Sequence, residues 1–126
     1  MILNPGATFK IDSADVPDWL WIVICRDDAA DSELVAGIVP SPHKSFDPAC
    51  EIGASEHEAL LRHSFVNYAQ AKVLTPSRRA AVADFFLDYG NISEAMLLRV
   101  QQGCIDSDHA YGEHKAMVRR LVPEIR

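Results

Sequence analysis

The chain has 126 residues, of which 48% are apolar and 24% are charged, and its formal net charge is −6. These values are ordinary for a globular protein and allow a single domain with a buried core. The longest apolar run, residues 19–25, is far shorter than the roughly 20 residues that a transmembrane helix needs, so no membrane partner is expected. The first residues lack a charged segment followed by an apolar one, which predicts no signal peptide.

The cysteines bear on the cellular compartment of the protein, and the charge distribution bears on its partners. Cys25, Cys50 and Cys104 are widely spaced and odd in number, which argues against a disulfide framework and predicts a cytoplasmic protein. Residues 27–60 hold eight acidic residues against one base, whereas residues 61–126 hold nine bases against seven acids. A polyanion such as RNA would therefore be drawn to the second half.

The first half of the chain predicts β structure. Apolar runs and alternating patterns predict strands at residues 7–11, 19–25, 32–39, 50–52 and 59–74. The run 19–25 is apolar throughout, which indicates burial of both faces. Gly37 lies inside the third strand and indicates a bulge or a bend there.

The second half predicts helices. Residues 78–89 fit either a short helix or a last strand at residues 82–87. Ser93 is a plausible N-cap for a helix that stops at Gly103, and a further helix runs from a cap at residues 106–108 to about Val122. We therefore predict one α+β domain over residues 1–126, mainly β over 1–75 and mainly α over 76–126.

The most informative segment is residues 62–68, which concentrates polar side chains between β-branched and aromatic ones. In a regular strand Arg62, Ser64 and Tyr68 share one face, and His63 lies on the other. Near the start of one strand there would then be a cation, an imidazole and two hydroxyls. Such groups can bind a phosphate and transfer protons beside it. The alternative interpretation is an edge strand whose polar residues lie in water.

These groups suit metal-free RNA cleavage, which needs a base for the ribose 2′-hydroxyl, an acid and a cation on the phosphate. Arg62 would bind the phosphate, and His63 would act as the acid or the base. Ser64 completes the predicted catalytic set. We predict substrate contacts at Ser41, Tyr68 and His57.

A metal or covalent mechanism is not expected. The candidate zinc ligands His43, Cys50, His57 and His63 fall within 21 residues, but their spacings match no compact ligand pattern. There is no Gly-rich phosphate loop and no G-x-S-x-G motif. We therefore predict no metal and no cofactor.

The order of elements resembles that of the PemK/MazF-like toxins of type II toxin–antitoxin systems. The resemblance covers about residues 6–75 and rests on the apolar Trp-Ile-Val-Ile strand at 21–24, the Ile-Val-Pro-Ser turn at 38–41 and the segment Leu61–Tyr68. It implies a small SH3-like β-barrel over about residues 6–75, followed here by C-terminal helices. It also implies a homodimer that cleaves RNA without metal and binds a small antitoxin protein.

One departure from that family keeps a second hypothesis open. Family members usually carry a basic residue in the loop after the first strand, whereas residues 12–18 here are acidic. The alternative is a barrel that has lost catalysis and binds another protein through the acidic segment 27–58 or an apolar groove. Whether the chain is an enzyme is thus left open between an endoribonuclease and a binding module.

Overall fold

The computed structural model describes residues 1–125 as one six-stranded sheet with three α-helices. The strands are β1 (Ala7–Ile11), β2 (Leu20–Asp27), β3 (Ser32–Pro40), β4 (Glu51–Ile52), β5 (Ser64–Leu74) and β6 (Phe86–Asn91). The helices are α1 (Pro76–Val82), α2 (Glu94–Asp106) and α3 (Gly112–Leu121). Short 3₁₀ turns follow β4 and α1.

The sheet is antiparallel, with strand order β4-β5-β3-β2-β1-β6, and it curls into a half-barrel. The curl brings the β4 edge of the sheet towards the β6 edge, and one histidine connects the two edges. The Nε2 atom of His57, just after β4, lies 3.0 Å from Thr8 Oγ1 in β1 and 3.2 Å from the carbonyl oxygen of Tyr89 in β6. The loop after β4 therefore reaches the β1–β6 side of the sheet.

The two faces of the sheet bury separate clusters because successive strand residues point to opposite sides. On one face, here the α2 face, Ile22, Leu34 and Val66 pack with side chains of α2 and α3, including Val100 and Val118. On the other, here the α1 face, the cluster is smaller and consists of Leu3, Phe9, Ile11, Trp21, Val23 and Val35 with Val82 of α1 against it.

A buried ion network attaches α1 to the sheet. Glu33 of β3 is fully buried and is bound by both Arg26 of β2 and Arg79 of α1. Arg79 also donates to the Asp31 carboxylate at 2.9 Å. Since a buried carboxylate needs charged and hydrogen-bonding partners, this network fixes the position of α1 over the α1 face.

The α+β class is confirmed, and the second half of the chain, predicted as mainly α, holds one strand beside the three helices. Residues 78–89 contain the end of α1 and the beginning of β6, so the last strand lies in the second half of the chain and pairs back with β1. Strand pairing after β4 begins at Ser64 and not at residue 59. Ser93 caps α2 as predicted.

Two helix boundaries differ from the prediction. α2 continues through Gly103 to Asp106, so Gly103 is not a helix stop. The last helix begins at Gly112, and the residue at its N-cap is Tyr111. Residues 106–108 instead end α2, where the amide of Ser107 donates to the carbonyl oxygen of Gly103 at 2.8 Å.

Gly37 lies at a register shift, as expected, and it also allows a close approach. The β3–β5 ladder shifts between Val35 and Gly37. A Cβ atom on Gly37 would lie 2.4 Å from Cε3 of Trp19, so the indole packs directly on the backbone. Trp19 and Trp21 are neighbours there, with ring centroids 5.7 Å apart.

Candidate functional site

Arg62 and His63 lie together in an exposed loop immediately before β5. The prediction that they occupy opposite faces assumed a regular strand, but strand pairing begins one residue later, at Ser64. Both side chains are exposed to solvent. The structure thus leaves a cation and an imidazole free of the sheet at adjacent positions.

A carboxylate that the sequence did not single out lies beside this histidine. His63 Nε2 is 2.8 Å from Glu51 Oε1, and the two side chains are 52% and 45% exposed. Because an ionised carboxylate only accepts hydrogen bonds, Nε2 carries the donated proton. In the neutral imidazole this leaves Nδ1 as the acceptor.

The pairing of β4 with β5 explains why Glu51 was missed. Glu51 of β4 stands opposite Phe65 of β5, so its side chain reaches His63, which lies two positions before Phe65 and just outside the strand. The residues are twelve positions apart, with a 3₁₀ turn and a loop between them. Only knowledge of this register would have identified the pair in the sequence.

Ser41 lies beside the same loop through backbone contacts. Its amide donates to the carbonyl oxygen of His63 at 3.0 Å, and Arg62 Nη1 donates to the carbonyl oxygen of Ser41 at 3.4 Å. Its Oγ is buried and has no hydrogen-bond partner among residues 1–125. Ser41, Glu51, Arg62 and His63 therefore form one cluster, here the loop site.

Ser64 and Tyr68, by contrast, are buried and bonded to the protein. Ser64 is 1% exposed, and its Oγ donates to the carbonyl oxygen of Arg62 at 3.1 Å. Tyr68 is fully buried and donates to the carbonyl oxygen of Val100 at 2.6 Å. Burial raises the pKa of the Tyr68 phenol well above its ordinary value. Both hydroxyls are thus buried from solvent and bonded to backbone carbonyl oxygens, apart from the exposed side chains of the loop site.

His57 is likewise engaged elsewhere. Besides the bonds of Nε2 to β1 and β6, its Nδ1 accepts the amide of Ala59 at 2.9 Å. Both ring nitrogens therefore have partners within the protein, and Nε2 connects the sheet edges. The predicted substrate contact at His57 is not part of the loop site.

An aromatic loop, residues 41–49, lies next to the loop site. The rings of His43 and Phe46 pack against Phe65, with centroid distances of 6.1 Å and 5.3 Å. His43 Nδ1 accepts the amide of Ser45 at 3.1 Å, which orients the imidazole. Phe46 keeps a large exposed apolar surface.

The described residues offer no metal centre and no activated thiol. Residues 1–125 contain no group of three or more histidine, cysteine or acidic side chains placed to hold a metal ion. All three cysteines are buried, and burial raises the pKa of Cys25 to about 12 and that of Cys104 to about 11. None of the three is suited to nucleophilic attack at neutral pH.

No protein-family model matches the chain, and no curated protein is significantly similar to it. Within residues 1–125 no helix is both long and apolar enough to cross a membrane. What the loop site offers is an imidazole that contacts a carboxylate, beside an exposed guanidinium.

Proposed function

We propose that the chain is a metal-independent endoribonuclease that acts at the loop site. The observation that carries this proposal is the 2.8 Å contact between His63 and Glu51 beside the exposed guanidinium of Arg62. It supplies a proton acceptor of fixed orientation and a cation at adjacent positions. RNA brings its own nucleophile, so no activated serine or thiol is required.

The reaction needs one proton transfer and one displacement at phosphorus. Nδ1 of His63 takes the proton of a ribose 2′-hydroxyl, and Glu51 stabilises the imidazolium that forms. The 2′-oxygen bonds to phosphorus, the bond to the 5′-oxygen breaks, and that oxygen takes a proton from water. Arg62 binds the non-bridging phosphate oxygens as their charge grows. The products are a 2′,3′-cyclic phosphate and a 5′-hydroxyl.

The resemblance to PemK/MazF-like toxins supports the same activity and extends it. In this proposal the curled sheet is an SH3-like barrel, and the protein is a homodimeric toxin of the cytoplasm that a small antitoxin protein neutralises. The loop site lies where the turn after β3 meets the start of β5, and these two segments carry the resemblance. Arg62 takes the role of the basic residue that is absent from residues 12–18.

Cleavage of an RNA oligonucleotide in excess EDTA tests this proposal. Arg62→Ala should lower the cleavage rate about 100-fold, since it removes a cation that binds the developing charge. Glu51→Gln should lower it about fivefold, because an exposed ion pair contributes up to about 1 kcal/mol. Arg119→Ala, at an exposed arginine of α3, is the matched control and should cleave normally.

A second candidate function is a catalytically inactive protein-binding module, and Leu61 favours it. This leucine precedes Arg62 and is 95% exposed, which is unusual for a large apolar side chain unless a partner covers it. If folded protein cleaves no RNA, while Leu61→Ser changes the mass of the particle measured by light scattering, the binding module is the better account.

A further inference from the structure

The α1 face holds an open groove that the loop site does not use. Its volume is about 530 Å³, within the range of small-molecule sites. Its wall is mostly apolar and includes Phe9, Val35, Ala81 and Val82. The groove lies between the sheet and α1, whose position is fixed by the buried contact of Arg79 with Glu33.

Two cations lie in the wall of this groove. Lys72 of β5 and Arg78 of α1 both line it, and both are exposed. Neither forms an ion pair with any residue in the described range 1–125, although Arg78 donates to the carbonyl oxygen of Val73 at 3.0 Å. The neighbouring Lys10 and Arg79 are already paired, with Asp18 and Glu33. Lys72 and Arg78 therefore offer unneutralised charge beside apolar surface.

We infer that this groove binds a small amphipathic carboxylate, of the fatty-acid type. The alkyl chain lies along Phe9, Val35 and Val82, and the carboxylate lies between Lys72 and Arg78. A neutral apolar molecule would leave the two cations without a partner, and a polyanion such as RNA would leave the apolar wall uncovered. Charge complementarity together with the apolar lining therefore selects an anionic head on an apolar tail.

Isothermal titration of the purified 126-residue chain with decanoate, below its micellar concentration, tests the inference. We expect one molecule per chain to bind. Octanoate should bind about tenfold more weakly, because two fewer methylene groups are buried. The neutral analogue 1-decanol should bind at least about threefold more weakly than decanoate, since it cannot pair with the cations.

Matched variants locate the site. Ala81→Trp should abolish decanoate binding, because Ala81 lines the groove, whereas Ala80→Trp, on the adjacent exposed residue of α1, should not. Lys72→Gln should weaken decanoate binding about threefold, and Lys44→Gln, at an exposed lysine outside the groove, should leave it unchanged.

Three results would overturn the inference. They are absence of decanoate binding to the folded protein, equal binding of 1-decanol, and equal binding to the Ala80→Trp and Ala81→Trp variants. Absence of binding would mean that the groove binds no amphipathic anion. Equal binding of 1-decanol would mean that Lys72 and Arg78 do not distinguish an anion from a neutral molecule. Equal binding to the two tryptophan variants would mean that decanoate binds outside the groove. The inference does not depend on RNA cleavage, since no groove residue belongs to the loop site.

Discussion

Residues 62–63 and residues 64–68 adjoin in the chain and are both rich in polar side chains, but they lie in opposite environments. Arg62 and His63 are exposed in the loop site, whereas Ser64 and Tyr68 are buried and bonded to backbone carbonyl oxygens. The boundary is the first paired residue of β5. Polar residues that look equivalent in the sequence therefore form two sets, divided where strand pairing starts. The free set, Arg62 and His63, is exposed, and the buried set, Ser64 and Tyr68, is bonded to the backbone.

This difference matters because the two sets should respond oppositely to substitution. A free side chain contributes to activity and little to stability, since surface changes usually alter stability by less than about 0.5 kcal/mol. A buried hydroxyl with a partner contributes to stability, because its removal or displacement disturbs a packed environment. Measuring activity and stability on the same variants therefore tests the division directly.

The largest effect is expected at His63. His63→Ala should lower the rate of RNA cleavage about 10²- to 10⁴-fold, because it removes the proton acceptor. Its midpoint of urea unfolding should match that of the wild type, since the side chain is half exposed. His109→Ala, at an exposed histidine that follows α2, is the control and should retain full activity. A folded His63→Ala variant with full cleavage would remove His63 from the site.

The next effect is expected at Gly103, which packs against the buried set. A Cβ atom there would lie 2.4 Å from Tyr68 Oη and 2.9 Å from Cβ of Cys50. Gly103→Ala should therefore destabilise the protein by about 2 kcal/mol in urea unfolding.

Gly112→Ala is the matched control for that variant. No atom lies within 4 Å of a Cβ at Gly112, which begins α3. We expect its stability to be unchanged or raised by up to about 1 kcal/mol, because alanine restricts the unfolded chain. Equal unfolding midpoints for the two alanine variants would contradict the close packing of Tyr68 on α2.

A smaller effect is expected at Tyr68 itself. Tyr68→Phe keeps the ring and removes the hydrogen bond to the carbonyl oxygen of Val100, so it should cost about 1 kcal/mol of stability. RNA cleavage measured well below the unfolding temperature should not change. If cleavage falls while stability holds, Tyr68 contacts the substrate after all and the division at Ser64 fails.

The smallest expected effect is on the pH dependence of stability, and it arises from His114, whose imidazole is buried whereas that of His63 is exposed. Burial lowers the pKa of His114, and the nearby Glu113 carboxylate opposes this only in part. The folded-state pKa lies below the unfolded-state value near 6.5, so the unfolded chain binds more protons as the pH falls. Stability should therefore decrease as the pH falls from about 7 towards 5.

His114→Phe should make that pH dependence shallower, because the titrating group is gone and the edge-to-face contact with Tyr111 can persist. Urea unfolding at pH 7, 6 and 5 measures this slope. His109→Phe serves as the control, since His109 is exposed. An identical slope for wild type and His114→Phe would mean that burial of this imidazole does not affect stability.

The strands of the core were predictable from the sequence, whereas the last strand was not. β2 is apolar over most of its length, and that pattern identifies a strand buried on both faces. β6 is an edge strand in which Phe86 and Tyr89 are half-buried and the other residues exposed, so its pattern stays ambiguous without its partner β1.

The loop site was predictable only in part, because part of it also depends on pairing with a distant strand. Arg62 and His63 stand out by residue type, but Glu51 joins them only through the β4–β5 register, which the sequence does not reveal. Gly103 likewise lies against a residue distant in sequence, Tyr68, whereas local signals favoured a helix stop there. Local patterns predicted the elements, and pairing between distant strands determined the site.

The most direct test of the account is the chemistry of the RNA ends. Purified protein in EDTA would be incubated with an RNA oligonucleotide and with its fully 2′-O-methylated counterpart, beside the His63→Ala variant. The account predicts that only the wild type cuts, that only the unmodified RNA is cut, and that the products carry 2′,3′-cyclic phosphate and 5′-hydroxyl ends. Intact RNA after incubation with folded wild-type protein, or cleavage of the methylated strand, would contradict it.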